Sequence, residues 1–204
     1  MKLIGMYDSP YVRRVAISLN VLGLPFEHES LSVFSTYDVF AAINPVVKAP
    51  TLVTDDGIVL LDSTLILEYA ERLAPAERRL VPEEAHLFTR AQRIVGLALA
   101  ACEKTVQIVY ENNLRPEEKR HQPWLARVHG QLGAAYRLLE EEAQAAGPWL
   151  CGESALQADI TTAVAFRFTR EMLPESLDPE AHPNLAALSS RSEQTAAFLA
   201  CPFK

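Results

Sequence analysis

The 204-residue sequence predicts an α/β N-terminal domain followed by an all-α C-terminal domain. Three observations predict it. Residues 1–75 alternate short apolar runs with runs of helical period; beyond about residue 83 only helical spacing remains; and the stretch Ala74 to Glu84 between them is dense in proline and charge. The expected division is 1–75, a linker over 76–83, and 84–204.

Lys2 to Met6 is a short apolar strand, and Ser9-Pro10 then opens a helix that carries Val12, Val15, Ala16, Leu19 and Leu22 at helical spacing. Gly23-Leu24-Pro25 stops that helix, and Phe26 to Leu31 reads as a second strand, exposed or half-buried. A short helix ends near Asn44-Pro45. Thr51-Leu52-Val53 and Ile58-Val59-Leu60-Leu61 flank Asp55-Asp56-Gly57, a hairpin signal. Asp62-Ser63 opens a helix through Leu65, Ile66, Tyr69 and Leu73, which Pro75 ends. The order βαβ, helix, ββα is that of a thioredoxin-like domain. Further helices are expected near 84–112, 124–145, 157–172 and 184–199, separated by Pro116, Gly147-Pro148, Pro174, Pro179 and Pro183.

Composition narrows the function. With 49% hydrophobic and 22% charged residues the chain can bury a substantial core, and a net charge of −7 opposes binding to nucleic acid. The longest apolar runs, around 94–101 and 160–166, fall far short of the roughly 20 residues that cross a bilayer. The N-terminus has no secretory pattern, so a cytoplasmic protein is expected. Cys102, Cys151 and Cys201 are odd in number and widely spaced, and read as reduced, packed thiols. The five histidines show no zinc-binding spacing, and no metal is expected.

Ser9-Pro10-Tyr11-Val12 lies between the first strand and first helix, where thioredoxins and glutaredoxins carry their redox Cys-x-x-Cys. Both cysteine positions are replaced, which excludes dithiol exchange there. A hydroxyl at a helix N-terminus can still donate to a thiolate carried by a ligand. Taken alone, Ser9 is an ordinary N-cap ahead of Pro10.

Downstream, Asn44-Pro45-Val46-Val47-Lys48-Ala49-Pro50-Thr51-Leu52 is followed by Asp62-Ser63 at the next helix start. In this order and spacing the chain resembles the cytosolic glutathione S-transferases, in particular their serine-using bacterial, zeta-like and theta-like members. The likeness extends to Gly152-Glu153-Ser154-Ala155-Leu156-Gln157-Ala158-Asp159-Ile160, similar to the family's helix-start motif in the second domain. It implies a glutathione S-transferase fold, glutathione as co-substrate, and a homodimer formed by the 62–73 helix of one subunit against the 84–112 helix of the other. It further implies Ser9 as the catalytic hydroxyl that stabilises the glutathione thiolate, and a cis peptide at Pro50. By the same carry-over Ala49 pairs with the cysteinyl backbone, Asp62 with the γ-glutamyl ammonium, Ser63 with its carboxylate, and Lys48 with the glycine carboxylate.

Two departures stand out. Leu156 occupies the place of the family's N-cap Ser or Thr, which removes a capping bond of about 1 kcal/mol. Ala49 replaces the usual Val. Tyr7 is the rival hydroxyl, but is expected to be a packing residue at the strand end. Tyr11, Val12, Phe34, Tyr37 and Tyr110 are candidates for an apolar second-substrate cleft between the domains, and each reads equally well as core. Of Arg13 and Arg14, at least one is expected on a solvated face. A glutathione-dependent isomerase (maleylacetoacetate-type) or peroxidase on the same fold, and a non-catalytic scaffold or regulatory protein that keeps the fold, are the alternatives. The zeta-like isomerases often carry Ser-Ser-Cys near the serine, and no cysteine stands there in this chain.

Overall fold

The computed structural model describes residues 1–203. It divides into two units, Met1–Val81 together with residues 194–203, and Pro82–Glu193.

The first unit holds a four-stranded mixed sheet in the order β2-β1-β3-β4, built from β1 (Lys2–Ile4), β2 (Glu27–Glu29), β3 (Thr51–Val53) and β4 (Val59–Leu61). β1 runs parallel to β2 and antiparallel to β3, and β3 is antiparallel to β4. The helices α1 (Pro10–Leu22), α2 (Tyr37–Ile43) and α3 (Ser63–Leu73) belong to the N-terminal part of this unit. Leu3, Ile4, Val12, Val15, Ala16, Leu19, Leu52, Ile66 and Ala70 are buried here. The short strands cannot fill a core by themselves, so α1 and α3, which pack on each other, supply most of it.

Local chemistry sets the ends of these elements. Gly23 takes φ 74° at the C-terminus of α1, a left-handed cap that its missing Cβ permits, and its N–H donates to the Asn20 carbonyl at 3.1 Å. In the hairpin turn the Thr54 N–H donates to the Ile58 carbonyl at 2.9 Å and the Gly57 N–H to the Thr54 carbonyl at 3.0 Å. The second strand is shorter than the 26–31 span expected, since only Glu27 to Glu29 pair with β1.

The second unit contains α4 (Ala85–Asn113), α5 (Gln122–Gln144), α6 (Gln157–Met172) and α7 (Pro183–Glu193). α6 is buried along nearly its whole length, and α4 and α7 pack against it. Tyr136 of α5 ties it down by polar contacts as well: its hydroxyl donates to the Ala165 carbonyl at 2.9 Å and bonds the Thr169 hydroxyl at 2.6 Å. Leu156 offers no capping acceptor, as expected, but Asp159 accepts from the N–H groups of Leu156 at 2.9 Å and Leu150 at 2.8 Å. Burial holds the Asp159 carboxyl above its ordinary value, with those N–H groups working in the opposite direction.

The expected helix over 184–199 is two helices, α7 and the four-residue α8 (Ala196–Leu199), and they belong to different units. The assignment of 84–204 as one domain is corrected accordingly. The physical reason is the tail's own anchoring: Phe198 is buried with the Arg13 guanidinium 5.5 Å from its ring centre, and Cys201 is buried beside α1. Among the described residues no helix is long and apolar enough to cross a membrane.

Candidate functional site

The sheet register brings three loops to one end of the first unit. Ile4 pairs with Thr51, and Thr51 pairs with Leu61, so the last residue of β1, the first of β3 and the last of β4 stand side by side. The segments leaving those positions carry Ser9, Pro50 and Asp62.

Ser9 caps α1 in an extended conformation, φ −72° and ψ 122°, with Pro10 as the first helical residue. Its Oγ accepts the Val12 N–H at a long 3.4 Å and its carbonyl accepts the Arg13 N–H at 2.9 Å. The Val12 bond uses an oxygen lone pair, so the hydroxyl proton remains to be donated. The loop before it turns at Gly5, φ 132°, where an added Cβ would lie 2.6 Å from Val12 Cγ2 and 3.2 Å from the Ala49 Cβ. Val12 and Ala49 therefore both close in on Gly5, and the small Ala49 side chain belongs to that crowded point.

The Lys48-Ala49-Pro50 segment is ordered by a buried relay. Asn44 Nδ2 donates to Thr51 Oγ1 at 2.8 Å, Thr51 Oγ1 donates to the Lys48 carbonyl at 2.8 Å, and Asn44 Oδ1 accepts the Val46 N–H at 3.0 Å. The Ala49–Pro50 peptide is cis. Asn44 and Thr51 carry no candidate chemistry of their own, but the shape of the loop depends on them.

Asp62 is the N-cap of α3 and sits at φ 74°, ψ 122°, a region that residues with a side chain rarely adopt. Its Oδ1 accepts the Thr64 N–H at 2.9 Å, and its Oδ2 lies 3.5 Å from Lys48 Nζ. Burial pushes this carboxyl up, but the Thr64 N–H and the Lys48 ammonium outweigh it and hold the group below its ordinary value. Lys48 and Asp62, assigned to opposite ends of one ligand, thus form an ion pair with each other. Ser63 is buried as the first residue of α3, and its Oγ accepts from Arg14 Nη1 at 2.9 Å.

Several expectations are corrected. Arg13 and Arg14 are 1% and 2% exposed, so neither lies on a solvated face. Arg13 Nε donates to the Cys201 carbonyl at 2.8 Å, while Arg14 reaches the head of α3. Val12 is fully buried in the core and cannot line a substrate cleft. Phe34 and Tyr37 are exposed and Tyr11 is half-buried, all in the first unit. Tyr110 belongs to the second unit, where it lines a surface cavity of about 560 Å³ with Val106, Leu114, Arg115 and Trp124. Tyr7 stacks on His28 with ring centres 4.0 Å apart and planes 5° from parallel, and its hydroxyl bonds the Cys201 thiol. Burial, followed by that thiol, pushes the phenol well above its ordinary value, which suits packing and opposes a catalytic phenolate. All three cysteines are free thiols and buried.

Known proteins share the sequence pattern and the fold. The family described as "Glutathione S-transferase, N-terminal domain" matches residues 3–78, and "Glutathione S-transferase, C-terminal domain" matches residues 122–191. The uncharacterized GST-like protein YibF of Escherichia coli K12 is 32% identical over 142 residues, covering 69% of this chain and 68% of that protein. A zeta-class glutathione S-transferase of Euphorbia esula is 28% identical over 168 residues, 78% of this chain and 72% of that protein. Among solved structures, a glutathione S-transferase of Methylobacterium radiotolerans in complex with glutathione sulfonate superposes with a TM-score of 0.89 at 30% identity, covering 100% of this chain and 95% of that one. A maleylacetoacetate isomerase of Methylobacterium extorquens AM1 with bound malonate and glutathione gives 0.77 at 25% identity, covering 98% and 95%. With its α/β sheet unit, its helical unit and these matches, the chain belongs to the glutathione S-transferase family.

Proposed function

We propose that this protein is a glutathione transferase that conjugates the glutathione thiolate to small apolar electrophiles, with Ser9 stabilising the thiolate. The observation that carries the reading is the register Ile4, Thr51, Leu61, which gathers Ser9, the cis Ala49–Pro50 peptide and Asp62-Ser63 at one end of a single sheet. In this reading Ala49 pairs through its backbone with the cysteinyl residue, Asp62 receives the γ-glutamyl ammonium and Ser63 its carboxylate. Lys48 lies near enough to Asp62 to exchange that partner for the glycine carboxylate when the ligand's ammonium arrives.

A free thiol titrates near about 8.5, and lowering this by two units takes roughly 2.7 kcal/mol of preferential stabilisation of the thiolate. The Ser9 hydroxyl proton at the N-terminus of α1 acts in that direction, since hydrogen bonds to charged groups are worth about 1.5–3 kcal/mol and the helix terminus adds to them. The thiolate then attacks the electrophile and displaces its leaving group. Replacing Ser9→Ala is expected to lower turnover with a halogenated nitroaromatic by about a hundredfold, with glutathione affinity nearly unchanged. Turnover equal to the wild type rejects the role.

The likeness to the maleylacetoacetate isomerase favours a second reading, glutathione-dependent cis–trans isomerisation of a dienoic acid. Assay of such a substrate beside electrophiles and peroxides separates the two. We also propose a cytoplasmic homodimer. Leu65 and Leu73 on α3 and Phe88 on α4 are exposed large apolar residues, and sedimentation as a monomer would reject the dimer.

A further inference from the structure

We propose that Arg14 is a positioning residue for the γ-glutamyl carboxylate of glutathione, acting through the Ser63 hydroxyl. The inference rests on the reading of Ser63 given above. A serine hydroxyl has one proton to donate and two lone pairs to accept with. Arg14 Nη1 lies 2.9 Å from Ser63 Oγ. A guanidinium stays protonated throughout the pH range of a folded protein, so this bond can run only from arginine to serine. One lone pair is occupied, and the hydroxyl proton is directed to an acceptor elsewhere.

The acceptor that fits is an anion. Ser63 is the first residue of α3, where main-chain N–H groups lack helical partners and the helix dipole is positive. The arrangement is firmly held: Arg14 and Ser63 are 2% and 4% exposed, and Nη1 also reaches Thr64 Oγ1 at 3.4 Å. Behind them the Ser18 hydroxyl donates to the Arg14 carbonyl at 2.7 Å. With an uncharged side chain at position 14, the Ser63 hydroxyl loses its fixed donor and can turn its proton inward. Lysine keeps the charge but offers a point donor on a flexible stem instead of a planar fork.

The test compares glutathione with its γ-glutamyl α-carboxamide, a ligand of the same shape lacking that one charge. Dissociation constants are measured by calorimetry for the wild type, Arg14→Lys, Arg14→Met, Ser63→Ala and the Arg14→Met/Ser63→Ala double variant. The wild type is expected to prefer glutathione by about tenfold or more. Arg14→Met and Ser63→Ala should each shrink that ratio toward one, the double variant should shrink it no further, and Arg14→Lys should fall between. An undiminished ratio in both Arg14 variants overturns the proposal, as does an equal loss of both ligands, which marks a mere brace between α1 and α3. If Arg14→Met does not fold, Arg14→Lys decides. If Ser63→Ala keeps the wild-type ratio, the reading of Ser63 falls and the role of Arg14 with it; if only the Arg14 variants keep it, Arg14 alone is ruled out.

Discussion

The Arg13 guanidinium donates from Nε to the main-chain carbonyl of Cys201 across 2.8 Å of space and 188 positions of sequence. This bond, with Phe198 under the guanidinium, holds the C-terminal segment against α1, the helix whose first turn presents Ser9. Asn20 Nδ2 at 3.3 Å and the Tyr7 hydroxyl add two contacts to the Cys201 thiol.

Removing this anchor should loosen the tail. Arg13→Ala strands a buried carbonyl and gives up the cation–ring contact, a loss of about 2–3 kcal/mol. Urea denaturation measures it, and limited proteolysis should cut first beyond residue 193. Wild-type stability together with a protease-resistant tail would rule out the anchoring role.

Asp62 predicts a pH dependence. Its folded carboxyl lies below the ordinary aspartate value because the Thr64 N–H and the Lys48 ammonium outweigh burial. The unfolded chain therefore takes up the proton first as pH falls. The stability this carboxylate contributes is fully present above the ordinary aspartate value and is lost as pH drops through the folded one. The stability difference between wild type and Asp62→Asn should stay flat above about pH 5 and shrink below about pH 4. A difference that holds constant down to pH 2.5, roughly, contradicts the assignment.

Leu156 marks a site where stability can be gained. It is the N-cap of α6 in extended conformation, φ −114° and ψ −177°, yet has no side-chain acceptor. Leu156→Thr supplies one to the N3 amide while Asp159 already accepts the Leu156 N–H at 2.9 Å, completing the reciprocal cap. The expected gain is up to about 1 kcal/mol, seen as a higher denaturation midpoint. A lower midpoint would mean that the half-buried leucine contributes more by packing than the cap can add.

Much of the site was legible in the chain because its parts are local. Ser9-Pro10 is a cap and first-turn pair, Asp62-Ser63 another, and both start helices where the spacing predicts them. The burial of Arg13 and Arg14 was not legible in this way, since two charged residues in one helix read equally well as a solvated face until the groups that surround them are known. The Asn44–Thr51 relay gave no comparable signal, because it depends on how the loop folds back on itself.

The sequence by itself determined the α/β-then-α order, the helix starts at Pro10 and Ser63 and the hairpin at Asp55-Asp56-Gly57, since each follows from periodicity or turn chemistry. Tertiary structure alone decided that Val12 is core, that Arg14 stands behind Ser63, that Lys48 pairs with Asp62, and that residues 194–203 return to the first unit. Each of these depends on which distant group fills the space around a side chain. Burial and hydrogen-bond partners are set by packing between segments far apart in the chain, and spacing along the chain carries no record of it.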